Sequence, residues 1–357
     1  MIQMQFSYIK RSLQFRFEAG TSRGVLTTRE VYWISAVDPN HPSRIGWGEA
    51  APLVKLSIDD RPDFESALGS LLTVLSQMAW SNDADEVLTQ VSQRISADFP
   101  SIRFGVETAL LDRLNGGQKK IFQTPFASGE RAIPINGLIW MGNRDFMLQQ
   151  IDQKLQEGFD CIKMKIGAID FEQELSLLRY IRERFSAKKI VLRVDANGAF
   201  SPDEAMQKLE KLAQFDLHSI EQPIPAGHWK AMRRLCAGTP LPIALDEELI
   251  GQTEKERLLD EVQPQYLIFK PSLIGGIRET QEWIRFAMER NIGWWMTSAL
   301  ESNIGLNAIA QLTDTFAPEI PQGLGTGKLF YNNLESPLEI SRGKIYYRKD
   351  LNWENPA

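Results

Sequence analysis

Eight short apolar runs, separated by amphipathic stretches of ten or more residues, most constrain the fold of this chain. The runs are Ile133 to Trp140, Cys161 to Ile166, Ile190 to Asp195, Leu217 to Glu221, Ile243 to Asp246, Tyr266 to Lys270, Gly293 to Ser298 and Pro321 to Gly325. Such alternation is typical of parallel strands joined by crossover helices. The class is therefore α/β, and eight positions predict a (β/α)7β TIM-like barrel. A length of 357 residues accommodates a barrel of roughly 250 residues and a second lobe of about 100.

The residues before the barrel predict an α+β capping domain. Antiparallel strands are expected at Phe15 to Phe17, Glu30 to Val37 and Gly46 to Glu49. Apolar residues three and four apart predict helices within 63–93 and 101–115. Between the first two strands, Ala19 to Gly24 is expected to be a flexible polar loop.

These sequence patterns predict three segments. Residues 1–128 form the capping domain, and residues 129–327 form the barrel. Residues 328–357 contain a strand-like run from Ile340 to Tyr347 that has no barrel position left to fill. This last segment is expected to return to the capping domain.

Charged residues stand at the carboxyl ends of consecutive apolar runs, where burial is costly without a partner. They are Lys163 and Lys165, Asp195, Glu221, Asp246 and Glu247, and Lys270. The spacings from Lys165 onward are 30, 26, 25 and 24 residues, each close to one βα repeat of roughly 30. Because the carboxyl ends of barrel strands face one another around the mouth, three carboxylates are predicted side by side with lysines on both sides.

Three converging carboxylates repel one another unless a cation neutralises them. An all-oxygen set with room for water suits Mg²⁺ or Mn²⁺. The predicted ligands are Asp195, Glu221 and an acid of the Asp246–Glu247 pair. A lysine close to that cation and to a second ammonium has its charged form disfavoured, which suits Lys165 as the base for a carbon-bound proton.

Each of these residues has a simpler interpretation when taken alone. Asp195 with Asn197 is typical of a turn or a helix cap. Lys163 and Lys165 fit the solvent face of an edge strand, and Lys270 fits a surface lysine. Their common register with consecutive strands favours the functional interpretation.

Composition excludes several other classes of function. No stretch approaches the roughly 18 apolar residues of a membrane span, and the basic residues are scattered in a chain of net charge −6, so neither a membrane nor nucleic acid is an expected partner. The three histidines and two cysteines lack zinc-ligand spacing. With no signal-peptide pattern at the start, a cytoplasmic location is expected.

The motifs resemble the muconate-lactonizing subgroup of the enolase superfamily. They are Lys163-Met164-Lys165, Val194-Asp195-Ala196-Asn197, Ile220-Glu221-Gln222-Pro223, Leu245-Asp246-Glu247, Phe269-Lys270-Pro271 and, in the cap, Trp47-Gly48-Glu49-Ala50-Ala51-Pro52. The resemblance implies proton abstraction next to a carboxylate, with one or two Mg²⁺ ions and a Lys or His base, which is the established chemistry of this superfamily. It also implies that Asp246 rather than Glu247 is the third ligand, that Lys163 assists Lys165, and that Lys270 faces the other side of the substrate.

Within the subgroup, the chain resembles the o-succinylbenzoate synthases of menaquinone or phylloquinone biosynthesis. The similarity lies in Ser298-Ala299-Leu300-Glu301-Ser302, in Gly323-Leu324-Gly325-Thr326-Gly327 and in Gly20-Thr21-Ser22-Arg23-Gly24. It implies a small-molecule carboxylate substrate and a syn dehydration. The expected substrate contacts are Asn197, Ser298, Thr21, Ser22, Arg23, Gly325 and Thr326.

Two alternatives remain open at the level of sequence. An N-succinylamino acid racemase would use Lys165 and Lys270 from opposite faces, and a non-catalytic barrel would keep only the fold. The Asp-x-Asp pair of dipeptide epimerases is absent from the eighth run, which disfavours that activity. The chain departs from the subgroup at Gln222, where many relatives have a second Glu, and the sequence leaves a homo-oligomer open.

Overall fold

The amino-terminal part of the chain forms an α+β cap. In the computed structural model, which describes residues 1–22 and 24–356, its elements are β1 (Ile2–Gln3), β2 (Gln5–Thr21), β3 (Gly24–Val37), β4 (Ile45–Ala50), α1 (Phe64–Ser76), β5 (Ala79–Trp80), α2 (Ala84–Arg94) and α3 (Pro100–Leu114). Strands β2, β3 and β4 form an antiparallel sheet. Helix α3 approaches β4 closely because Gly48 faces Gly105, where a Cβ would collide with the backbone.

The predicted barrel follows the cap in the chain. Its elements are β6 (Ile133–Pro134), β7 (Gly137–Ile139), α4 (Arg144–Gln156), β8 (Cys161–Lys165), α5 (Phe171–Arg182), β9 (Val191–Asp195), α6 (Ala205–Ala213), β10 (Ser219–Glu221), α7 (Trp229–Gly238), β11 (Ile243–Leu245), a 3-10 turn (Glu247–Leu249), α8 (Lys255–Val262), β12 (Tyr266–Phe269), α9 (Pro271–Ile274), α10 (Ile277–Glu289), β13 (Gly293–Met296) and α11 (Asn303–Thr315). Strands β7 to β13 pair in chain order as one parallel sheet. The predicted fold class is confirmed.

The eighth barrel position is filled by single bridges rather than by a regular strand. Gln322 bridges Ile135 beside β7, and Gly323 bridges Thr297 after β13. Glycine is a poor strand former, and the run that begins at Pro321 contains two of them. The sequence therefore predicted the position correctly but not its irregularity.

The hairpin of β2 and β3 corrects the expectation of a flexible loop over Ala19 to Gly24. Ala19, Gly20 and Thr21 pair with Leu26, Val25 and Gly24, so strand pairing continues almost to the tip. The irregular part lies earlier, where the register shifts between Gln14 and Ala19. A polar, glycine-containing sequence was mistaken for a loop because backbone pairing does not depend on apolar side chains.

The carboxyl-terminal segment contains a hairpin of β14 (Leu338–Ser341) and β15 (Lys344–Tyr347). Strand β15 pairs with β6 at the start of the barrel, whereas the sequence predicted that this strand would return to the cap. Before the hairpin, Arg16 donates to the Leu329 carbonyl at 2.9 Å, so the segment does contact β2. The boundaries at 128 and 327 stay a prediction.

Buried carboxylates of the cap are hydrogen bonded to the barrel. Glu107 on α3 accepts bonds from the Ile277 and Arg278 backbone amides at the start of α10. Glu49 at the end of β4 accepts from the amides of Ser302 at 2.8 Å and Gly305 at 3.0 Å. These bonds hold the cap over the carboxyl ends of the barrel strands. Among the described residues, no helix is both long and apolar enough to cross a bilayer.

Candidate active site

Consecutive barrel strands bring the predicted charged residues together. Lys165 is the register partner of Asp195, and Asp195 is the partner of Glu221. Side chains two residues apart on one strand point the same way, so Lys163 and Lys165 of β8 both reach the barrel interior. The predicted convergence at the carboxyl ends of the strands is therefore observed.

Lysines and carboxylates alternate at this end of the barrel. The Lys165 Nζ donates to Asp195 Oδ2 at 2.9 Å and to Asn197 Oδ1 at 2.8 Å. The Lys163 Nζ lies 3.0 Å from the same Asp195 oxygen and also donates to Glu221. On the other side, Lys270 donates to Asp246. The three carboxylates are almost fully buried, with exposures of 1% for Asp195 and 2% for Glu221 and Asp246.

The lysines decide where negative charge rests in this cluster. Burial opposes ionisation of Asp195, but Lys163 and Lys165 outweigh it and hold the pKa of Asp195 well below its ordinary range. Burial, reinforced by the neighbouring Asp195, raises the pKa of Glu221 well above its ordinary value. The pKa values of the two carboxyl groups are thus shifted in opposite directions, although both groups contact Lys163.

The pKa values of two lysines respond to the same carboxylates. Burial would lower the pKa of Lys163, but Asp195 and Glu221 raise it above the ordinary value. Burial also opposes the charge on Lys270, and Asp246 overcomes it, so the pKa of Lys270 is raised as well. Both side chains are therefore ammonium groups in this arrangement.

The loops that carry these side chains are held in restricted conformations. Asn197 and Gln222 have positive φ angles of 45° and 38°, which are uncommon for residues other than glycine. Asn197 also donates to Glu247 Oε1 at 3.0 Å, so it connects Lys165 with the acid that follows Asp246. Strain of this kind is typical of functional sites.

A divalent cation fits the chemistry of the donor set. The Glu221 Oε1 atom is buried and has no hydrogen-bond partner among the described residues, and an unsatisfied buried carboxylate oxygen is costly. Asp195 and Asp246 supply further oxygens, which suit a hard cation. As arranged here, residues 1–22 and 24–356 contain no metal-binding group of three His, Cys, Asp or Glu side chains, and an ammonium group lies against each of the three carboxylates.

A cavity of about 920 Å³ lies between the cap and the barrel mouth. Its polar lining includes Lys163, Lys165, Asp195, Asn197 and Lys270. Glu221 and Asp246 lie next to it, in contact with the lining lysines. The cavity therefore gives a small molecule access to the three lysines.

The predicted substrate contacts are only partly assembled around this cavity. Thr21, Asn197, Ser298, Gly325 and Thr326 line it, whereas Ser22 does not. Arg23 lies outside the described residues. Within the lining, the Thr326 hydroxyl lies 2.9 Å from the Ser298 hydroxyl.

Several residues at the site were not predicted as functional. The cavity has an apolar part that includes Phe17, Leu26, Leu53 and Trp140, and no spacing pattern in the sequence distinguishes such residues from ordinary core. Glu301 accepts from the Ser298 hydroxyl at 2.6 Å. Its position in the Ser298–Ser302 motif was the sequence feature that could have identified Glu301 as functional.

Arg29 of β3 was also missed, because the sequence shows only a charged residue in a strand. It is 2% exposed and donates to the carbonyls of Ala299 and Leu300 at 3.3 and 3.4 Å. It also donates to the carbonyls of Ala51 and Pro52. Arg29 thus connects the loop that carries Ser298 with the cap.

A parallel barrel with an α+β cap, and with lysines and carboxylates on successive strand ends, defines an enzyme of the enolase type. Residues 147–349 match the family model described as "Enolase C-terminal domain-like", and the chain belongs to the enolase superfamily. The resemblance inferred from the motifs is confirmed.

Known relatives match the chain over most of its length. It is 47% identical to the o-succinylbenzoate synthase of Desulfotalea psychrophila over 97% of this chain and 99% of that protein. The o-succinylbenzoate synthase of Thermosynechococcus vestitus is 26% identical, over 86% of this chain and 88% of the relative. The crystal structure of MenC from Desulfotalea psychrophila superposes with a TM-score of 0.86 at 43% identity, covering 96% of this chain and 99% of that one.

Proposed function

We propose that this chain is an o-succinylbenzoate synthase, a hydro-lyase that converts 2-succinyl-6-hydroxy-2,4-cyclohexadiene-1-carboxylate into 2-succinylbenzoate and water. The observation that carries the proposal is the full-length match to the Desulfotalea synthase. The site supports it, because the cavity lining includes Lys163, Lys165 and Lys270, whose charges suit a substrate with two carboxylates. The reaction serves menaquinone or phylloquinone biosynthesis.

The site requires a divalent cation, Mg²⁺ or Mn²⁺, held by Asp195, Glu221 and Asp246. The unpartnered Glu221 Oε1 and the burial of all three carboxylates support this ligand set. When bound, such an ion neutralises the charge that grows on the substrate carboxylate in the transition state.

Lys165 is the base in this proposal. Asp195 and Asn197 accept two of its hydrogen bonds, and an ammonium has three donors, so one direction remains for the substrate. As a neutral amine, Lys165 removes the proton next to the ring carboxylate. It then returns that proton to the departing hydroxyl on the same face, which releases water as the ring becomes aromatic.

Lys163 and Lys270 act as fixed cations. Lys163 contacts both Asp195 and Glu221, which keeps the carboxylates in position beside the base. Lys270 lies across the site on Asp246, where its charge faces the π system of the intermediate. Because dehydration uses one face, a second base is unnecessary.

The remaining predicted contacts position the substrate. Ser298 and Thr326 present hydroxyl groups to the cavity, and Glu301 and Arg29 fix the loop that carries Ser298. Thr21 lines the cavity from the cap, and Ser22 follows it in the same hairpin.

The purified protein, assayed with Mg²⁺ on the cyclohexadiene substrate and on N-succinylamino acids, tests the proposal. The absorbance of the substrate's cyclohexadiene is expected to disappear as 2-succinylbenzoate forms. This rate should be far above the rate of any racemisation. Efficient racemisation with negligible dehydration would reassign the chain as an N-succinylamino acid racemase. Absence of both activities would favour a non-catalytic barrel.

A further inference from the structure

The active-site cavity is not confined to the barrel mouth. The same continuous cavity that reaches Lys165 and Asp195 also reaches Lys154 at the end of α4, Arg342 at the turn of the β14–β15 hairpin, and Lys328. Lys154 lies on α4, which packs against β7, and Arg342 lies in the turn of the hairpin that pairs with β6. The cavity therefore extends along the first barrel strand to α4 and the β14–β15 hairpin.

An opening in the barrel wall explains this extension. The first strand is joined to the eighth position at Ile135 and by a bond from the Asn136 amide to the Gln322 carbonyl at 2.9 Å. Beyond Asn136, no hydrogen bond in the described part of the chain joins β7 to 323–326. Gly325 approaches the Asn136 carbonyl, where an added Cβ would lie 3.3 Å from the oxygen, and the cavity lining continues past this contact to Leu138 and Lys328.

A buried polar side chain lines this part of the cavity. The side chain of Asn136 is 4% exposed and lines the cavity. Its Oδ1 atom has no hydrogen-bond partner within residues 1–22 and 24–356. A buried amide oxygen of this kind requires a donor from water or from a bound molecule.

The outer end of the opening is basic. Lys154 pairs with Glu157 at 2.7 Å, and Lys328 donates to the Ile340 carbonyl at 3.1 Å. Burial opposes the charge on Glu157, but hydrogen bonds from Lys154 and Gln153, together with the charges of Lys154 and Lys328, lower its pKa. The exposed Arg342 makes no ion pair with any described residue. Lys154, Lys328 and Arg342 line the same cavity as Glu157 and outnumber it, so this end of the cavity attracts an anion.

We propose that this opening is a side exit of the active site, and that Lys154, Lys328 and Arg342 form an outer subsite for a carboxylate of the aromatic dicarboxylate product. This inference rests on the proposed function. The product carries one carboxylate on the ring and one on its side chain, so one can bind the basic rim while the other is still in the cavity. Release through the wall leaves the cap contacts unchanged.

Two pairs of variants test the exit, with Lys344 as the matched control. Lys344 is an exposed cation on the same hairpin, two residues from Arg342, and it does not line the cavity. Arg342→Glu and Lys344→Glu make the same change of charge. Ser341→Trp, which fills the outer cavity, is compared with Lys344→Trp.

Calorimetric binding of 2-succinylbenzoate and steady-state against single-turnover rates are measured for each variant with Mg²⁺. Arg342→Glu is expected to raise the dissociation constant roughly twofold to fivefold, in the range of an exposed ion pair. Ser341→Trp is expected to slow steady-state turnover below the single-turnover rate. If either variant behaves like its Lys344 counterpart, the side exit is overturned.

The calorimetric binding measurement separates this inference from the proposed function. A wild-type protein that fails to dehydrate the substrate, but loses affinity for 2-succinylbenzoate on Arg342→Glu, would refute the function and keep the subsite. Full dehydration activity with equal affinity in Arg342→Glu and Lys344→Glu would refute the subsite alone. Circular dichroism checks that each variant is folded.

Discussion

The side-chain oxygen of Gln222 accepts a hydrogen bond from the backbone amide of Asp246 at 3.1 Å. Gln222 is fully buried, and its amide nitrogen donates to the Ile224 carbonyl at 3.0 Å and to Glu248 Oε2 at 3.3 Å. It therefore fixes the start of the turn that carries Asp246. The residue at which the sequence departs from its subgroup thus has a positioning role beside the proposed metal ligands.

Replacing Gln222 with Ala should weaken cation binding. The backbone amide of Asp246 would lose the acceptor that fixes its position. Loss of a residue that holds a metal ligand in place typically costs about 10- to 100-fold in metal affinity. The Mg²⁺ concentration for half-maximal activity is the measurement. Gln149→Ala, at an exposed position of α4, is the control, and an unchanged Mg²⁺ requirement in Gln222→Ala would remove Gln222 from this role.

Removal of divalent cations should abolish activity reversibly. Asp195, Glu221 and Asp246 repel one another, and an ion is needed to neutralise them when the substrate carboxylate is also present. Dialysis against EDTA followed by titration with Mg²⁺ or Mn²⁺ measures the effect. Glu221→Gln should raise the Mg²⁺ requirement, whereas the exposed Glu183→Gln should not. Full activity in excess EDTA would contradict the ligand set.

Stability should fall as the pH rises from about 5 to about 8, in part because of Glu107. Burial raises the pKa of Glu107 from 4.5 to about 8, so the folded protein holds a proton that the unfolded chain releases. A raised folded pKa stabilises the protein fully below the unfolded value, and this stability is lost as the pH passes the folded value. Glu49 and Asp112 contribute in the same direction, since burial raises the pKa of each to about 7.

Urea unfolding at pH 5.5 and pH 8.5 in EDTA measures this dependence. Glu107→Gln cannot ionise, so the difference in the free energy of unfolding between the two pH values should be smaller than in the wild-type protein. The exposed Glu183→Gln should keep the wild-type difference. An unchanged difference in Glu107→Gln would mean that Glu107 is ionised throughout.

The sequence predicted those parts of the site that depend on strand register. Lys165, Asp195 and Glu221 could be placed together because each ends a strand and adjacent strands share a register. The tip of the β2–β3 hairpin was wrongly predicted because the pairing of Thr21 with Gly24 is made by backbone atoms.

Contacts between distant elements could not be predicted at all. Arg29 reaches the loop of Ala299 and Leu300 across some 270 residues, and a single sequence has no signal for such a pair. The part of the cavity beside β7 could not be predicted for the same reason, since α4 and the β14–β15 hairpin are distant in the chain. Its basic rim is visible only when Lys154 and Arg342 are brought to the same place.

The roles of Lys165 and Lys270 should separate when each is replaced. Lys165 contacts Asp195 and Asn197 on one side of the site, and Lys270 contacts Asp246 on the other. A dehydration that uses one face needs Lys165 as its base but Lys270 only as a cation. Lys165→Ala should therefore lose at least about 10²- to 10⁴-fold in kcat, the usual contribution of a general base.

Lys270→Arg keeps the positive charge and should retain part of the dehydration activity, while the exposed Lys188→Ala should retain all of it. Racemisation would respond differently, because a proton that leaves one face must be returned to the other and both lysines would be indispensable. Exchange of the substrate proton with solvent deuterium, followed in each variant, distinguishes the two cases. If Lys270→Arg loses dehydration as completely as Lys165→Ala, then Lys270 takes part in proton transfer and the one-face mechanism is wrong.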